Sequence, residues 1–296
     1  MMNWNKITKV LTIVGLALSL ASCGGKNANG EKQEKSANAS HINVITRENG
    51  SGTRGAFVEI TGLLEKDGDS EKDTTSTEAT VQNSTDGVMS TVANDKESIG
   101  YISLGSLNDK VKALKVESVE PTASRVASDE YKIARPFNLA FKGEIKGLAR
   151  DFIDFIHSKE GQKIVEDNGY IRIKGDKSYD GKGKKGKLSI VGSTSVAPLM
   201  EKLKEAYVKM NPDVQVDITA NGSSAGIQAA AEGTADIGMA SRELKDEEKE
   251  KLQAEVMAKD GIAVIVNKEN KLDNISLENL KKVFQGKLKE WKDLEK

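Results

Sequence analysis

The sequence predicts a soluble α/β protein, and three observations support this class. Apolar runs typical of strands alternate with segments of helical spacing along most of the chain. Short turns rich in glycine, serine and threonine connect several of these runs to the helices that follow. The composition is well solvated, since 30% of the residues are charged and only 4% are aromatic. A length of 296 residues suffices for two lobes, each with its own core.

Charge and residue counts argue against several function classes. The formal net charge of −1 offers no basic surface of the kind that binds nucleic acid. The two histidines, His41 and His157, are poorly placed for a metal site or for acid–base catalysis. Cys23 is the single cysteine, so the mature fold is expected to have neither a disulfide nor a thiol nucleophile. We therefore expect no metal and no cofactor.

The N-terminus predicts export and a lipid anchor. A basic start is followed by a short apolar run and then by small residues, as in a secretory signal peptide. The apolar run is shorter than a typical transmembrane helix. The tetrad Leu-Ala-Ser-Cys that ends at Cys23 resembles a bacterial lipobox, in which this cysteine carries the lipid. The alternative is a chance cysteine at the end of a signal or buried segment. We predict a lipoprotein signal peptide over 1–22 and a flexible tether over 23–41.

The first half of the chain is predicted to alternate short strands and helices. Strands are expected at 42–46, 99–104 and near 111–116, and helices at 57–64 and 88–94. The polar stretch 66–85 is rich in turn-forming residues, and we expect it to be a surface excursion with little structure. Pro121 and Pro136 bracket a connecting region.

The second half begins with a strong helical pattern from Gly147 to Ile156 and a second helix around 161–165. Residues 174–187 are rich in glycine and lysine and are predicted to form a solvated linker, with a polyanion-binding patch as the alternative. The remaining strands are predicted at 188–191, 214–218, 236–240 and 261–266, and the helices at 196–210, 227–232, 241–252, 277–284 and 288–294.

Four predicted strand–turn–helix units carry hydroxyl groups in the turn. They contain Ser51 and Thr53, Thr194 and Ser195, Ser223 and Ser224, and Ser241. Each turn would place a hydroxyl at or near a helix start, where backbone N–H groups lack partners and favour an anion. Capping explains any one of them, but four on one scaffold predict convergence on a single anion.

The cations near these turns are few. Arg47, Arg54 and Arg242 are the arginines that lie beside them in the sequence. The predicted site is therefore dominated by neutral dipoles, which suits a small, dehydrated oxyanion held by a reversible clamp.

Several motifs then carry a family resemblance. They are the segment 47–57, Gly-Ser-Thr-Ser-Val at 192–196 followed by Pro198, Gly-Ser-Ser-Ala-Gly at 222–226, Asp-Ile-Gly-Met-Ala-Ser-Arg-Glu-Leu at 236–244, and Asp-Gly-Ile-Ala-Val-Ile-Val-Asn at 260–267. Together they resemble the phosphate-binding proteins of bacterial phosphate ABC transporters, the PstS family. The resemblance runs from about residue 42 to the end. It implies a two-lobe, type II periplasmic-binding-protein fold that closes on phosphate.

The order of these motifs departs from the usual order in that family. The segment with Gly-Ser-Thr-Ser normally comes first, whereas here it follows the segment with Arg-Glu-Asn-Gly-Ser-Gly-Thr-Arg. The residues at the end of the chain resemble those that normally run into the segment beginning at Ile42. The fold is therefore expected to be circularly permuted, with 174–187 joining the usual termini.

The permutation implies how the lobes divide the sequence. Lobe A would be continuous over 137–268 and would include the linker, and lobe B would combine 42–136 with 269–296. The two crossovers would lie near Pro136-Phe137 and near Val266-Lys268 and would form the hinge.

The resemblance also assigns the site. Arg47 would be the charge partner of phosphate, and the remaining ligand-binding residues would be Ser51, Gly52, Thr53, Thr194, Ser195, Ser223, Ser241 and Arg242. Arg242 stands where some family members have an aspartate that accepts the phosphate proton. Either another acceptor, Glu48 or Glu243, serves instead or selectivity is weaker, unless Arg242 points to solvent or pairs across the cleft.

The resulting prediction is a monomeric, lipid-anchored receptor on the outer face of the cell membrane of a Gram-positive-type bacterium. It would deliver phosphate to the permease subunits of an ABC transporter and perform no chemistry. The alternatives are a receptor for sulfate or molybdate, a surface adhesin or scavenger with the same fold, and a secreted phosphoryl-transfer or hydrolytic enzyme. The enzyme lacks an evident base or metal ligand set.

Overall fold

Two hydrophobic cores, joined by two long neighbouring strands, define the architecture.

The structure is a computed structural model that describes residues 40–68 and 70–294. The predicted signal peptide, Cys23 and nearly all of the predicted tether lie outside the described residues. No helix within the described ranges has both the length and the apolar character that crossing a membrane requires.

The chain first forms short strands and three helices. In order they are β1 (Asn43–Arg47), α1 (Gly52–Ile60), β2 (Leu64–Asp67), β3 (Ser70–Asp73), β4 (Thr80–Gln82), α2 (Thr85–Asn94), β5 (Ser98–Ser103), β6 (Lys112–Ala113), β7 (Lys115–Val116) and α3 (Ala123–Ala127), with a 3-10 turn at Leu104–Ser106. Helix α1 begins earlier than predicted because the Ser51 hydroxyl accepts a hydrogen bond from the Arg54 N–H, at 3.3 Å, and so caps it.

The second part contains the longer elements. They are β8 (Ala134–Phe141), α4 (Gly147–Ile156), α5 (Lys159–Asp167), β9 (Lys185–Gly192), α6 (Ala197–Met210), β10 (Asp213–Ala220), α7 (Ser223–Glu232), β11 (Ile237–Ala240), α8 (Asp246–Lys249), β12 (Gln253–Val266), β13 (Asn274–Ile275) and α9 (Leu277–Phe284), with a 3-10 turn at Trp291–Asp293.

Four segments differ from the sequence prediction. The stretch expected to have little structure contains the β2–β3 hairpin and β4. Strand β8 begins within the connecting region predicted between Pro121 and Pro136 and continues to Phe141. The helix predicted over 241–252 shrinks to α8, which begins only after Lys245, whose N–H donates a hydrogen bond of 2.8 Å to the Glu248 carboxylate. The final predicted helix is only a 3-10 turn.

The main sheet runs through both cores. Its strand order is β10-β9-β11-β8-β12-β5-β1-β4, with β6 also paired to β12. Strands β9, β10 and β11 are parallel to one another, as are β1, β4 and β5, whereas β8 and β12 run antiparallel to their neighbours. The carboxyl ends of the parallel strands from both halves therefore face the middle of the molecule, where ligands of open α/β sheets bind.

Each half has its own buried core. The first core contains side chains from 42–133 and 262–294, and the second contains side chains from 137–258. A smaller cluster packs α7 against β8 and β11. These two cores are the lobes of the two-lobe fold.

The chain crosses between the cores along β8 and β12. Strand β12 pairs with β8 through Gly261 and with β5 from Ile262 onward. The side chains of 262–266 are fully buried in the first core, although the sequence prediction placed them with the second. The reason is that the apolar run of β12 continues as a strand of the first sheet after the crossing. The crossing in β12 thus precedes the predicted position near Val266.

The predicted linker 174–187 is held against the second core. The Tyr179 hydroxyl donates a hydrogen bond of 2.6 Å to Asp151 Oδ2, which also accepts one of 2.6 Å from the Tyr207 hydroxyl. Burial and the hydrogen bond to Asp151 raise the pKa of Tyr179 to about 12. The anchoring by Tyr179 distinguishes this segment from a freely solvated linker.

Candidate functional site

Arg47 is the cation at the centre of the candidate site. It ends β1, and only 2% of its surface is exposed. Its Nη2 lies 2.9 Å from the Thr194 hydroxyl, which belongs to the other half of the molecule. Its Nε and Nη2 each lie 2.8 Å from a different carboxylate oxygen of Glu48, forming a bidentate pair. The guanidinium is thus fixed in place and directed at the opposite half.

The backbone around Arg47 is held by neighbouring side chains. The Tyr101 hydroxyl accepts a hydrogen bond of 3.3 Å from the Arg47 N–H and pairs with the Thr46 hydroxyl at 2.8 Å. Burial raises the pKa of this tyrosine, so it stays protonated. Arg54 donates from Nη1 to the Arg47 carbonyl at 2.7 Å and from Nε to Asp73 at 2.8 Å. Arg54 is therefore a brace for the site.

A row of buried hydroxyl groups connects the two halves. The Ser195 hydroxyl lies 2.8 Å from that of Thr53 and 3.0 Å from that of Thr85. Thr85 also lies 3.5 Å from Arg47 Nη1. All four residues are buried, so these contacts are shielded from solvent.

A second group of hydroxyls lies beside the first. The Ser241 hydroxyl is 2.9 Å from that of Ser193 and 3.3 Å from that of Ser223. The Ser223 hydroxyl also accepts a hydrogen bond of 3.1 Å from the Ser241 N–H. Each of these serines is at most 2% exposed. They come from the ends of β9 and β11 and from the start of α7, as the parallel sheet geometry requires.

Gly52 brings helix α1 against the second hydroxyl group. A Cβ atom at this position would lie 2.3 Å from Ser223 Oγ and 2.7 Å from Ser241 Oγ. Only glycine permits this approach, and it places the first N–H groups of α1, which have no partner within the helix, beside the hydroxyls. The backbone carbonyl of Gly50 also accepts a hydrogen bond of 3.0 Å from Ser224 N–H.

Most of these hydroxyls form hydrogen bonds with one another and do not cap helices. Ser51 caps α1 through its side chain, but α6 and α7 begin after Val196 and Gly222 without a side-chain cap. Ser241 precedes no helix, since α8 begins at Asp246. The prediction of a hydroxyl at or near a helix start is therefore confirmed for the turns before α1, α6 and α7 and is wrong for Ser241. The freed hydroxyls point into the shared cluster.

Arg242 lies apart from this cluster. Its Nη1 and Nη2 each lie 2.7 Å from an oxygen of Glu248, and Nη1 also donates to the Glu243 carbonyl. Burial alone would raise the pKa of Glu248, but the Arg242 guanidinium and the Lys245 N–H together outweigh burial and hold this pKa below the ordinary value. The charge of Arg242 is therefore neutralised by a carboxylate on its own half.

The structure brings most of the predicted site residues together. Arg47, Gly52, Thr53, Thr194, Ser195, Ser223 and Ser241 meet at the cluster, with Ser51 capping the helix beside it. Sequence reasoning missed Ser193 and Thr85. Ser193 belongs to the Gly-Ser-Thr-Ser-Val motif at 192–196 but was not assigned a role. Ser84 and Thr85, at the start of α2, form another hydroxyl-rich turn after a strand. That strand, β4, was not predicted, so the turn was not recognised.

The comparisons with known proteins identify the family. The PBP superfamily domain matches residues 2–160 and 178–296 of this chain. The phosphate-binding protein PstS 2 of Streptococcus pneumoniae TIGR4 is 52% identical over 290 residues, covering 97% of this chain and 98% of that protein. The chain belongs to the PstS family.

Further PstS proteins support this assignment. PstS 2 of Streptococcus agalactiae 2603 V/R is 47% identical over 300 residues and covers both chains completely. The crystal structure of a phosphate ABC transporter phosphate-binding protein from Streptococcus pneumoniae TIGR4 superimposes with a TM-score of 0.70 and 54% identity, covering 86% of this chain and 99% of that one. By contrast, PstS of Staphylococcus saprophyticus is 38% identical over 128 residues, only 40% of each chain.

Proposed function

We propose that this protein captures inorganic phosphate between its two halves and delivers it to the permease of an ABC transporter. The names of its PstS relatives, and of the similar crystal structure, support phosphate as the ligand and an ABC transporter as the destination. One observation carries the proposal to particular residues. The buried guanidinium of Arg47 faces hydroxyl groups that both cores contribute.

The hydroxyl cluster suits a tetrahedral oxyanion. A serine or threonine hydroxyl can rotate to donate or to accept, so its bonds to other hydroxyls can be exchanged for bonds to phosphate oxygens. A hydrogen bond to a charged group contributes about 1.5–3 kcal/mol, and several of them suffice for tight binding. Arg47 supplies a fixed positive charge, and Glu48 partly offsets it. Neutral dipoles therefore provide most of the recognition.

Glu48 is the better candidate for accepting a phosphate proton. Its carboxylate is held by Arg47, and its Oε1 would lie 3.6 Å from a Cβ atom at Gly222, which precedes α7 of the other half. The Glu243 side chain, in contrast, is exposed to solvent. A carboxylate that requires a proton on the ligand would favour phosphate over sulfate, because sulfate would leave it unpaired. We assign this selectivity to Glu48 and no contact with the ligand to Arg242, whose guanidinium pairs with Glu248.

Capture is proposed to proceed by closure of the two halves. Ser195 and Thr53 belong to different cores, and so do Thr194 and Arg47, so separating the halves would break both contacts. A ligand that binds both sides would favour the closed arrangement. The proposed anchor is a lipid on Cys23, the proposed state is a monomer, and we expect no chemistry on the ligand.

The circular permutation belongs to this proposal as well. The Ser40 carbonyl accepts a hydrogen bond from Trp291 N–H at 3.2 Å, and Ile42 N–H donates to the Lys289 carbonyl at 2.7 Å. The residues around 290 thus lie beside residue 41, where the usual family order would make the chain continuous. The partial match to the staphylococcal PstS is also what exchanged halves would produce, since an alignment in chain order follows only one of them.

The test is calorimetry on the purified protein with phosphate and then sulfate. We expect phosphate to bind tightly and sulfate weakly, and we expect Arg47→Ala to lose at least about a hundredfold in phosphate affinity. Arg125→Ala is the matched control, because Arg125 is half exposed and pairs with Glu130 on the surface. Tight sulfate binding would indicate another oxyanion receptor. Absence of binding by folded, phosphate-free protein would favour the adhesin or scavenger.

A further inference from the structure

A buried ion pair lies where the chain crosses between the two cores. Arg135 in β8 and Asp260 in β12 are register partners, and their side chains approach at 3.2 Å. Each side chain is only 1% exposed. Phe137 and Ala258 belong to the second core, while Ile133 and Ile262 belong to the first. The pair therefore occupies both crossing strands at the boundary of the cores.

Hydroxyl groups from both halves surround this pair. Ser103 ends β5 and Ser106 ends the 3-10 turn after it, both on the side of the first core, and Tyr170 is a member of the second core. The Tyr170 ring packs against Gly105, where an added Cβ would lie 2.2 Å from the ring carbon Cζ. Asp260 Oδ1 accepts a hydrogen bond of 3.3 Å from Gly105 N–H. We call Ser103, Ser106, Arg135, Tyr170 and Asp260 the hinge cluster.

The hinge cluster is poorly satisfied in the closed arrangement. Within 40–68 and 70–294, six buried side-chain nitrogen or oxygen atoms have no hydrogen-bond partner, and five of them belong to the cluster. They are Arg135 Nε and Nη1 and the hydroxyls of Ser103, Ser106 and Tyr170. Burying polar groups without partners disfavours the conformation that does so.

Burial also disfavours the charged forms of Arg135 and Asp260. Burial lowers the pKa of Arg135 and raises the pKa of Asp260, so each group is less stable as an ion than it would be in water. Burial and the Asp260 carboxylate also raise the pKa of Tyr170. The Ser106 and Ser103 hydroxyls lie near enough to its hydroxyl to counteract part of this effect, but none of the three reaches hydrogen-bonding geometry. The ion pair does not fully compensate for the loss of solvent.

We propose that the hinge cluster opposes closure of the site and thereby speeds release of the bound anion, a role that rests on the proposed function. Tyr170 and Gly105 belong to different halves, so their packing depends on those halves lying together. Opening admits water to the unpaired donors and removes their cost, whereas closing buries them again. Part of the binding free energy of phosphate is then spent on closing the hinge.

The test compares the full-length protein with Tyr170→Phe, which removes one unpaired hydroxyl and keeps the ring. We expect Tyr170→Phe to bind phosphate about fivefold more tightly, as the loss of one unpaired buried hydroxyl predicts, with the gain in a slower dissociation rate. The matched control is Tyr131→Phe, because the Tyr131 hydroxyl is buried but donates a hydrogen bond of 2.8 Å to the Ile262 carbonyl. Tyr131→Phe should not tighten binding.

A second variant and a second measurement keep the outcomes separate. Arg135→Met/Asp260→Leu removes the ion pair without leaving a lone charge, and we expect a larger decrease in the dissociation rate. Small-angle X-ray scattering without phosphate should give a smaller radius of gyration for both variants than for the wild type. Equal or weaker phosphate binding by the folded variants would overturn the proposal. A wild type that binds no phosphate would refute the proposed function instead, and the scattering comparison would still decide on the hinge cluster.

Discussion

The hydroxyl of Thr53 lies 2.8 Å from the hydroxyl of Ser195 across the boundary between the two halves. Thr53 stands in the first turn of α1, which packs on the first core, and Ser195 precedes α6 of the second core. Thr85 approaches the same serine from the side of Thr53. The second half thus inserts one serine between two threonines, and any ligand bound there would contact both cores.

Gly52 is expected to be required for this approach. Gly52→Ala adds a Cβ that would lie 2.3 Å from Ser223 Oγ, so either α1 or the serine hydroxyls of the cluster must move. We expect phosphate affinity to fall by at least about tenfold, since one lost charge-assisted hydrogen bond already accounts for that factor. Calorimetry checks this expectation.

Gly55→Ala is the control for that variant because it lies in the same helix. A Cβ there would meet only the flexible Arg242 side chain, at 3.3 Å. Replacing a helical glycine with alanine should stabilise the protein by about 0.5–1 kcal/mol and leave affinity nearly unchanged. Equal loss of affinity in both variants would show that helix geometry, not contact with Ser223, explains the effect of Gly52→Ala.

Glu48 is expected to control the choice between phosphate and sulfate. Glu48→Gln replaces an obligate acceptor with a group that can also donate, so it should weaken phosphate binding and strengthen sulfate binding. Competition calorimetry with the two anions measures the ratio of affinities. Glu243→Gln serves as the control because Glu243 is exposed. An unchanged ratio in Glu48→Gln would remove this residue from the selectivity mechanism.

The site could be predicted from the sequence further than the fold around it. The motifs near Arg47, Thr194 and Ser223 carry their chemistry in a few neighbouring residues, so local patterns and the family resemblance suffice. The sequence could not show which hydroxyls cap helices, because a hydroxyl after a strand can bond either to its own helix or to a distant hydroxyl, and only the tertiary structure decides.

Strand β8 shows why parts of the fold escaped prediction. Pro136 normally argues against an internal strand because it cannot donate to a ladder, yet it lies in register with Lys259 of β12. Strands β8 and β12 also pass from one core to the other within a few residues. Their side chains therefore show no single pattern of alternating buried and exposed positions. The ion pair between Arg242 and Glu248 could not be predicted either. The predicted helix contained both residues, whereas in the structure Arg242 precedes the shorter helix that contains Glu248.

The Arg242–Glu248 pair is expected to make stability depend on pH. The pKa of Glu248 is lowered in the folded protein, so the pair stabilises the fold above the ordinary value of 4.5 and loses its effect as the pH falls through the lower folded value. Glu248→Gln should therefore reduce the free energy of unfolding by about 1.5 kcal/mol at neutral pH. Urea denaturation should show the difference from wild type shrinking at pH values below 4.5.

The same variant tests the position of Arg242. Because the guanidinium lies on Glu248 and apart from the hydroxyl cluster, Glu248→Gln should leave phosphate affinity nearly unchanged. Exposed Glu247→Gln, in the same helix, should affect neither stability nor binding. A large loss of affinity in Glu248→Gln alone would place Arg242 in the binding site.

A rearranged chain tests the permutation directly. Joining residue 294 to residue 42 through a short loop and opening the chain within 174–187 would restore the family's usual order of motifs. The hydrogen bonds between residues 40–42 and 289–291 show that the first pair of ends lies close together. Since chain order matters little once the same contacts form, we expect the rearranged protein to fold and to bind phosphate with an affinity close to that of the natural chain.

The position of the new termini matters because Tyr179 holds segment 174–187 against the second core. A cut before this residue keeps its hydroxyl bonded to Asp151 and to the second core, whereas Tyr179→Phe in the rearranged chain should release the new N-terminal segment. Proteolysis of the segment reports that release, and calorimetry reports the site. A rearranged chain that folds but fails to bind phosphate would contradict the permutation, because the hydroxyl cluster would then depend on the present connectivity.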